Sequence, residues 1–217
     1  MAAPNWIKLE SDPEVITNLL HKIGVPDKYA VLDVLGFEPD VLSLVPKSTV
    51  GLILLTPESG PGEGIESPCD LYWMKQTVRS ACGTIALIHA VVNSGISLEE
   101  GSILDKFVSR TRGLSPEEKG QALGEDVEFA AAHEAAAKEG LTPTEGESYN
   151  TPHHYIAFVQ TGGKLYEMTG TRVIDHGASS ADTFVSDAAK VCQQKIEQIK
   201  VTNDSQEYGA VAISKVK

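Results

Sequence analysis

A hairpin signature in the last third of the chain constrains the fold more than any other feature. Two apolar and aromatic runs, 155–160 and 164–168, are separated by Thr161-Gly162-Gly163. Glycine readily adopts the positive φ that the two central positions of a short hairpin turn require. The two runs are therefore predicted to be neighbouring antiparallel strands, and each residue before the turn faces the residue equally far after it.

Other apolar patterns surround this hairpin with more strands and with helices. Strands are predicted at residues 29–34, 50–55 and 209–213. Helices are predicted at residues 13–23, 39–44, 80–93, 101–112, 125–139 and 184–199, and a capping signature at 115–118 opens another. Two stretches without periodicity, 56–70 and 141–152, are expected to be flexible surface loops. We therefore expect one α+β domain over residues 1–217, with a central antiparallel sheet flanked by helices.

Charge and cysteine content exclude several classes of protein. The 217 residues include 18 Lys and Arg against 30 Asp and Glu, a net charge of −12. This balance argues against nucleic acid or an anionic membrane as partner and favours a basic partner. The three cysteines lack metal-site spacing and indicate a reducing compartment rather than a disulfide scaffold. Without a recognisable leader or membrane span, the protein is expected in the cytoplasm, with nuclear entry by diffusion as an alternative.

Cys82 is the candidate nucleophile. A free cysteine is most often a small buried apolar residue, but Cys82 stands at the start of the apolar helix predicted at 80–93. The dipole and the free N–H groups of a helix N-terminus stabilise a thiolate. Gly83 is expected to leave room beside it for a substrate backbone. Cys69 and Cys192 lack such surroundings and are interpreted as structural or incidental.

A thiolate nucleophile needs an imidazole partner. Four histidines do not fit this role: His21, His89, His133 and His176. His89 lies about 10 Å from Cys82 along the same helix and is interpreted as a core histidine, whereas His133 is expected to be solvated. His154 shares a strand face with Ile156 and Phe158 and is therefore the candidate base.

Two further positions belong to the same candidate site. The predicted hairpin register places Thr171 opposite His154, with Thr169 as its diagonal neighbour on the same face. A group that orients the imidazole is expected there. Gln76 precedes Cys82 by six residues, and a side-chain amide upstream of a nucleophile can stabilise an oxyanion together with the N–H of the nucleophile.

These residues fall in segments that match a known family. The segment from Met74 to Ala90, MKQTVRSACGTIALIHA, strongly resembles the active-site segment of the ubiquitin carboxyl-terminal hydrolases, small papain-like deubiquitinating cysteine proteases. Further matches occur along the chain at residues 6–14, 115–118, 154–157, 165–167 and 210–214. The resemblance thus covers essentially the whole chain.

The resemblance implies a function and a site. Cys82 is similar in position to the family's nucleophile, His154 to its general base and acid, and Gln76 to its oxyanion donor. The family cleaves after the C-terminal glycine of ubiquitin, releasing small adducts or short peptide tails, and uses no metal or cofactor. The implied fold is papain-like and knotted, with an active-site crossover loop at about 140–152.

Two residues and the length of one loop depart from the family pattern. The motif Leu-Tyr-Glu-Leu-Asp-Gly places the triad aspartate at Thr169, which carries no charge. Ser80 stands where the family usually has Asn, and the loop at 56–70 is shorter than in many members. The implied enzyme is therefore impaired, unless a carboxylate such as Glu167 or Asp175 replaces the aspartate. The alternative is a catalytically silent ubiquitin-binding module, and another kind of cysteine hydrolase is a third reading.

The resemblance also implies the partner. Ubiquitin has a basic face and a tail with arginines, and a ubiquitin-like modifier is the alternative partner. By position, Leu9, Glu10 and Asp12 are expected to line the groove for that tail, and Glu145 and Glu147 to add charge. Residues 113–150 contain nine acidic and two basic residues, more than half of the net charge. No nucleic acid or membrane partner is expected, and the chain is expected to be a monomer.

Overall fold

A six-stranded, fully antiparallel sheet forms the centre of the computed structural model. The structure describes residues 5–57, 71–140, 153–203 and 208–217, without the side chains of 201–203. The strands are β1 (Tyr29–Asp33), β2 (Thr49–Pro57), β3 (His153–Thr161), β4 (Lys164–Met168), β5 (Val173–Ala178) and β6 (Gly209–Lys215). Their order in the sheet is β1-β6-β2-β3-β4-β5, so the predicted α+β class is confirmed.

Helices cover both faces of this sheet. They are α1 (Pro13–Ile23), α2 (Pro39–Leu42), α3 (Cys82–Asn93), α4 (Ile103–Thr111), α5 (Pro116–Glu125), α6 (Val127–Glu139) and α7 (Phe184–Asn203). The predicted crossover loop, apart from Gly140, and most of the predicted loop at 56–70 lie outside the described residues. No described helix is long and apolar enough to cross a membrane.

The β3–β4 hairpin has the register that the sequence predicts. Gly162 and Gly163 have φ values of 57° and 78°, in the left-handed region that glycine adopts without a steric penalty. Thr161 pairs with Lys164, and Ala157 pairs with Met168. The ladder ends there, and the chain makes a turn at 169–172 before β5 begins.

Alternation along β3 divides the core into two layers. Tyr155, Ala157 and Val159 pack on the face that carries α1, α3 and α6. Ile156 and Phe158 pack on the opposite face with α7. The helix α3 is buried from Gly83 to Val91 and lies against the central strands β3 and β2, and Cys82 at its start contacts the backbone of Tyr155 in β3.

The two edge strands of the sheet are β5 and β1. The sequence analysis missed β5, an edge strand containing Asp175, His176 and Gly177, which are weak strand formers, and only Val173 in it is buried. At the other edge, β1 pairs with β6 alone among the described strands, and β6 lies between β1 and β2.

Candidate active site

The start of α3 presents Cys82 with free N–H groups around it. The helix begins at Cys82 rather than at Ser80, and Ala81, its N-cap, offers no side-chain hydrogen bond. Ser80 has a φ of 64°, a left-handed conformation that Asn or Gly adopts more easily. This conformation gives a physical reason for the asparagine that the family usually has here.

Two opposing effects set the charge of the thiol. Burial raises the pKa of Cys82 above its ordinary value, while the backbone N–H groups of Tyr155, Gly83 and Cys82 and the charge of Lys8 act in the opposite direction. The sequence analysis predicted the effect of the helix N-terminus but not the larger effect of burial. The backbone contact with Tyr155 places the sulfur beside the start of β3, whereas His154 lines a cavity that Cys82 does not line.

Side chains of the protein fill the space beside Gly83. A Cβ at Gly83 would lie 3.2 Å from Leu9 Cβ and 3.3 Å from Tyr155 Cε2. The Tyr155 hydroxyl donates to the Leu9 carbonyl oxygen at 2.8 Å, and Leu9 is buried. The expectation that Gly83 leaves room for a substrate backbone is therefore wrong in this structure, because the N-terminal segment and the β3 ring occupy that room.

His154 lies in a small cavity at the end of the hairpin. The cavity holds about 20 Å³ and is lined by Thr56, Pro57, His154, Ile156, Thr169, Thr171 and Arg172. This volume is about that of one water molecule. Thr169 and Thr171 share this cavity with His154, as predicted, but the β3–β4 ladder ends at Ala157 and Met168, so Thr171 is not the strand partner of His154. No carboxylate lines the cavity among the residues that the structure describes.

The hydroxyl of Thr169 forms its described hydrogen bonds within the turn at 169–172. Its oxygen accepts the backbone N–H groups of Thr171 at 3.2 Å and of Arg172 at 3.1 Å. A hydroxyl oxygen has two lone pairs, so its accepting capacity is filled. Its proton can reach Thr171 Oγ1 at 3.0 Å or the Arg172 carbonyl oxygen at 3.4 Å. Thr169 thus shapes the cavity and retains no acceptor for an imidazole N–H.

The two substitute carboxylates considered from the sequence lie elsewhere. Glu167 is fully buried and paired with Lys195 Nζ at 2.8 Å and with His176 Nε2 at 3.0 Å. Asp175 is paired with Lys164 Nζ at 2.7 Å. Neither lines the His154 cavity, so neither replaces the aspartate that the family motif places at 169.

The oxyanion candidate Gln76 is joined to the same turn. Its backbone N–H donates to the Gly170 carbonyl oxygen at 2.7 Å, and a Cβ at Gly170 would collide with Gln76 Cβ. Its side-chain Nε2 donates to the Val78 carbonyl oxygen at 3.1 Å. Trp73 Nε1 donates to the Thr169 carbonyl oxygen at 2.7 Å. The segment before Cys82 and the turn beside His154 therefore form one hydrogen-bonded unit.

Two other histidines are buried structural groups. His89 is fully buried, its Nε2 accepts the Met74 N–H at 3.1 Å, and burial lowers its pKa to about 3, which confirms the predicted core histidine. His133 was expected to be solvated, and this expectation is wrong. It is buried and contacts Thr84 Oγ1 at 2.7 Å and the Ile7 carbonyl oxygen at 2.6 Å. The helical stripe at 129, 132, 133, 136 and 137 is the signal that reveals its burial.

An acidic cleft lies between the N-terminal segment and α6. It holds about 320 Å³ and is lined by Glu10, Asp12, Glu14, Val15, Asn18, Glu139 and Gly140. Asp12 also caps α1 by accepting the N–H groups of Glu14 and Val15, each at 2.9 Å. Glu145 and Glu147 lie outside the described residues. The described residues contain no cluster of His, Cys, Asp and Glu that fits a metal ion.

Comparison with known proteins gives consistent matches over most of the chain. The model of the family ubiquitin carboxyl-terminal hydrolase, family 1, matches residues 6–197. A ubiquitin carboxyl-terminal hydrolase of Drosophila melanogaster is 42% identical over 205 residues, 87% of this chain and 89% of that protein. The human ubiquitin carboxyl-terminal hydrolase isozyme L1 is 36% identical over 222 residues, 95% of this chain and 97% of that protein.

A solved structure also shares the fold. The Trichinella spiralis UCH37 catalytic domain, crystallised with ubiquitin vinyl methyl ester, superposes with a TM-score of 0.79 at 22% identity. The superposition covers 97% of this chain and 96% of that chain.

Proposed function

The chain belongs to family 1 of the ubiquitin carboxyl-terminal hydrolases, a family of cysteine peptidases, and we propose that Cys82, His154 and Gln76 carry its deubiquitinating reaction. The observation that carries this assignment is the position of the Cys82 sulfur. It lies at the start of α3 and against the N–H of Tyr155, which follows His154 in β3. Neighbouring side chains of a strand point to opposite faces, so the reaction requires the His154 ring to turn toward Cys82.

The reaction follows the chemistry of an activated thiol. His154 accepts the proton of Cys82, and the thiolate attacks the carbonyl carbon of the C-terminal glycine of ubiquitin. The side-chain amide of Gln76 and the N–H of Cys82 stabilise the oxyanion. His154 then donates its proton to the leaving amine, and a water activated by His154 hydrolyses the acyl-enzyme.

This mechanism requires the closed arrangement around Cys82 to change. The raised pKa of the thiol and the filled space beside Gly83 describe a site that is not ready for attack. Binding energy from the ubiquitin tail supplies the rearrangement, since interactions away from the reacting atoms can offset such costs. The hydrogen bond from Tyr155 to Leu9 links this movement to the groove-lining segment.

The acidic cleft supports ubiquitin as the substrate. Glu10 and Asp12 are two of its four carboxylates, and Gly140 packs against Glu10 where the predicted crossover loop begins. A cleft of this charge favours the arginines of the ubiquitin tail. Leu9 is buried against Gly83 and does not line this cleft. Glu145 and Glu147 are proposed to add charge from the loop. Substrates are proposed to be small adducts and short tails.

The proposed cellular location follows from the sequence. Cys82 and Cys192 are free thiols in the described part of the chain. We propose a cytoplasmic monomer with access to the nucleus.

An active-site-directed ubiquitin probe tests the assignment. We expect covalent labelling of the wild type, loss of labelling in Cys82→Ala, and retention in Cys192→Ala, which removes a buried thiol on α7. Retained labelling of Cys82→Ala would contradict the assignment. Tight ubiquitin binding without labelling would instead favour the silent ubiquitin-binding module, to which the absence of a carboxylate in the described cavity walls gives weight.

A further inference from the structure

A buried histidine of α6 joins the two segments that enclose the nucleophile. His133 Nε2 contacts the Ile7 carbonyl oxygen at 2.6 Å, and His133 Nδ1 contacts Thr84 Oγ1 at 2.7 Å. Thr84 follows Cys82 by two residues in α3. Ile7 precedes Leu9 by two residues in the N-terminal segment. One imidazole ring therefore touches both the helix that carries the thiol and the segment that closes the site.

The two hydrogen bonds define one tautomer and one orientation of the His133 ring. A carbonyl oxygen can only accept, so Nε2 donates its hydrogen to Ile7. Burial lowers the pKa of His133, so the imidazole is neutral at pH 7, and Nδ1 accepts the hydroxyl hydrogen of Thr84. Both His133 and Thr84 are buried. A flipped ring would leave buried polar groups without partners, which is costly.

The N-terminal segment is attached on both sides of Leu9. Before Leu9, the ring of Trp6 lies 4.5 Å from the ring of His133, which also binds the carbonyl oxygen of the next residue. After Leu9, Asp12 caps α1 through two backbone N–H groups. Between these attachments, Leu9 fills the space beside Gly83. The intervening residues are therefore the part that has to move before a substrate backbone reaches the thiol.

We propose that His133 is a positioning residue, which ties Ile7 to the start of α3 and so keeps Leu9 over the site until ubiquitin binds. The inference rests on the proposed function, in which the closed arrangement has to change. A contact that is stronger in the closed arrangement than in the open one lowers the open fraction. Weakening the His133 contact therefore raises the open fraction, and the apparent Kd for ubiquitin falls in proportion.

Alkylation of Cys82 in the free enzyme tests this role without a ubiquitin substrate. We expect His133→Leu to raise the rate with iodoacetamide at pH 8 about threefold, measured by mass spectrometry of the Cys82 peptide. The pH midpoint of the reaction should also fall, because opening relieves the burial that raises the pKa of the thiol. His133→Gln retains a side-chain N–H for Ile7 and should restore most of the wild-type rate and midpoint.

A second, smaller change guards against loss of folding in His133→Leu. Thr84→Val removes the hydroxyl that orients the ring while keeping the shape of the side chain, and should change alkylation in the same direction. Thr49→Val is the matched control. It removes a buried hydroxyl that contacts Ser214 Oγ at 2.7 Å, at the end of β2 remote from His154. This control should leave both the rate and the pH midpoint of Cys82 unchanged.

Steady-state kinetics with a ubiquitin–fluorophore conjugate complete the test. Thr84→Val should lower KM about twofold with little change in kcat, whereas a residue that only stabilises the fold would not lower KM. Faster alkylation of Cys82 in a protein that hydrolyses no ubiquitin supports the role of His133 and rejects only the proposed function. Wild-type alkylation in Thr84→Val, or a raised KM, overturns the role of His133 even if the hydrolase is active.

Discussion

The indole N–H of Trp73 donates a 2.7 Å hydrogen bond to the carbonyl oxygen of Thr169. This bond joins the segment that leads to the nucleophile to the turn that forms the wall of the His154 cavity. We expect Trp73→Phe to lower kcat severalfold with little change in KM, because the turn loses its anchor while the acidic cleft is untouched. The free energy of unfolding should fall by about 1 kcal/mol, the net value of one hydrogen bond. Steady-state kinetics and urea unfolding check both effects, and a change confined to KM would contradict this role.

Replacing Thr169 by aspartate should increase turnover. A carboxylate has about four lone-pair sites, so it can accept the N–H groups of Thr171 and Arg172 and still accept the imidazole N–H. We expect kcat of Thr169→Asp to rise about tenfold, less than the roughly 10²–10⁴-fold contribution of a general base, because only the orientation of His154 changes. Thr169→Asn is the matched control without charge and should rise less. An unchanged kcat in both variants would mean that another group already orients His154.

The buried thiol of Cys82 gives the free enzyme a specific pH dependence. A raised pKa means that the thiolate appears only as the pH climbs above the ordinary value for cysteine, about 8.5. Alkylation of the free enzyme by iodoacetamide should therefore be slow at pH 7 and should accelerate through pH 9. Cys82→Ala supplies the background rate. A reaction that is already fast and flat at pH 6 would indicate a preformed thiolate–imidazolium pair instead.

The buried ion cluster of Glu167, His176 and Lys195 makes the free energy of unfolding depend on pH. Burial opposes the charge of Glu167, but His176 and Lys195 outweigh burial and lower the pKa of the carboxyl. The stabilisation is therefore complete above the unfolded value near 4.3 and is lost as the pH falls through the folded pKa. Glu167→Gln leaves Lys195 unpaired in the core and should cost about 3 kcal/mol at pH 7.

Urea unfolding at pH 7 and at acidic pH measures this cluster. Glu117→Gln, which removes a surface ion pair with Lys75, is the control and should change stability far less. A Glu167→Gln variant with unaltered stability at neutral pH would show that the cluster is energetically neutral.

The acidic cleft predicts a salt-dependent KM. Glu10→Gln combined with Asp12→Asn removes two of four carboxylates, and asparagine preserves the cap of α1. At low ionic strength, KM for a ubiquitin substrate should rise about fivefold and depend less on salt. Glu99→Gln, far along the chain from the cleft, should leave KM unaltered. The cleft is not the tail-binding groove if the double variant keeps both the KM and the salt dependence of the wild type.

The sequence predicted what depends on local pattern. The glycine pair at 162–163 predicts the hairpin register from Thr161 to Ala157, and Thr169 and Thr171 share the His154 cavity just beyond the end of that ladder. The central apolar helix and the core position of His89 also followed from spacing alone.

Features that depend on distant partners were not predictable in this way. The space beside Gly83 is filled by Leu9, more than seventy residues away in the sequence. Burial of Cys82 comes from packing between layers, so its pKa direction could not be inferred from the helix start. The lone pairs of Thr169 Oγ1 accept two backbone N–H groups of the turn at 169–172. The conformation of such a turn cannot be read from a periodic pattern of apolar residues in the sequence.

The position of β6 in the sheet has a consequence for synthesis on the ribosome. The described sheet partner of β1 is β6, which is translated more than 170 residues after β1. Pairing across such a separation is slow, and unpaired strand edges invite aggregation while they wait. The nascent chain therefore holds β1 without this sheet partner until β6 has been translated, and until then α1 is the helix that packs against β1.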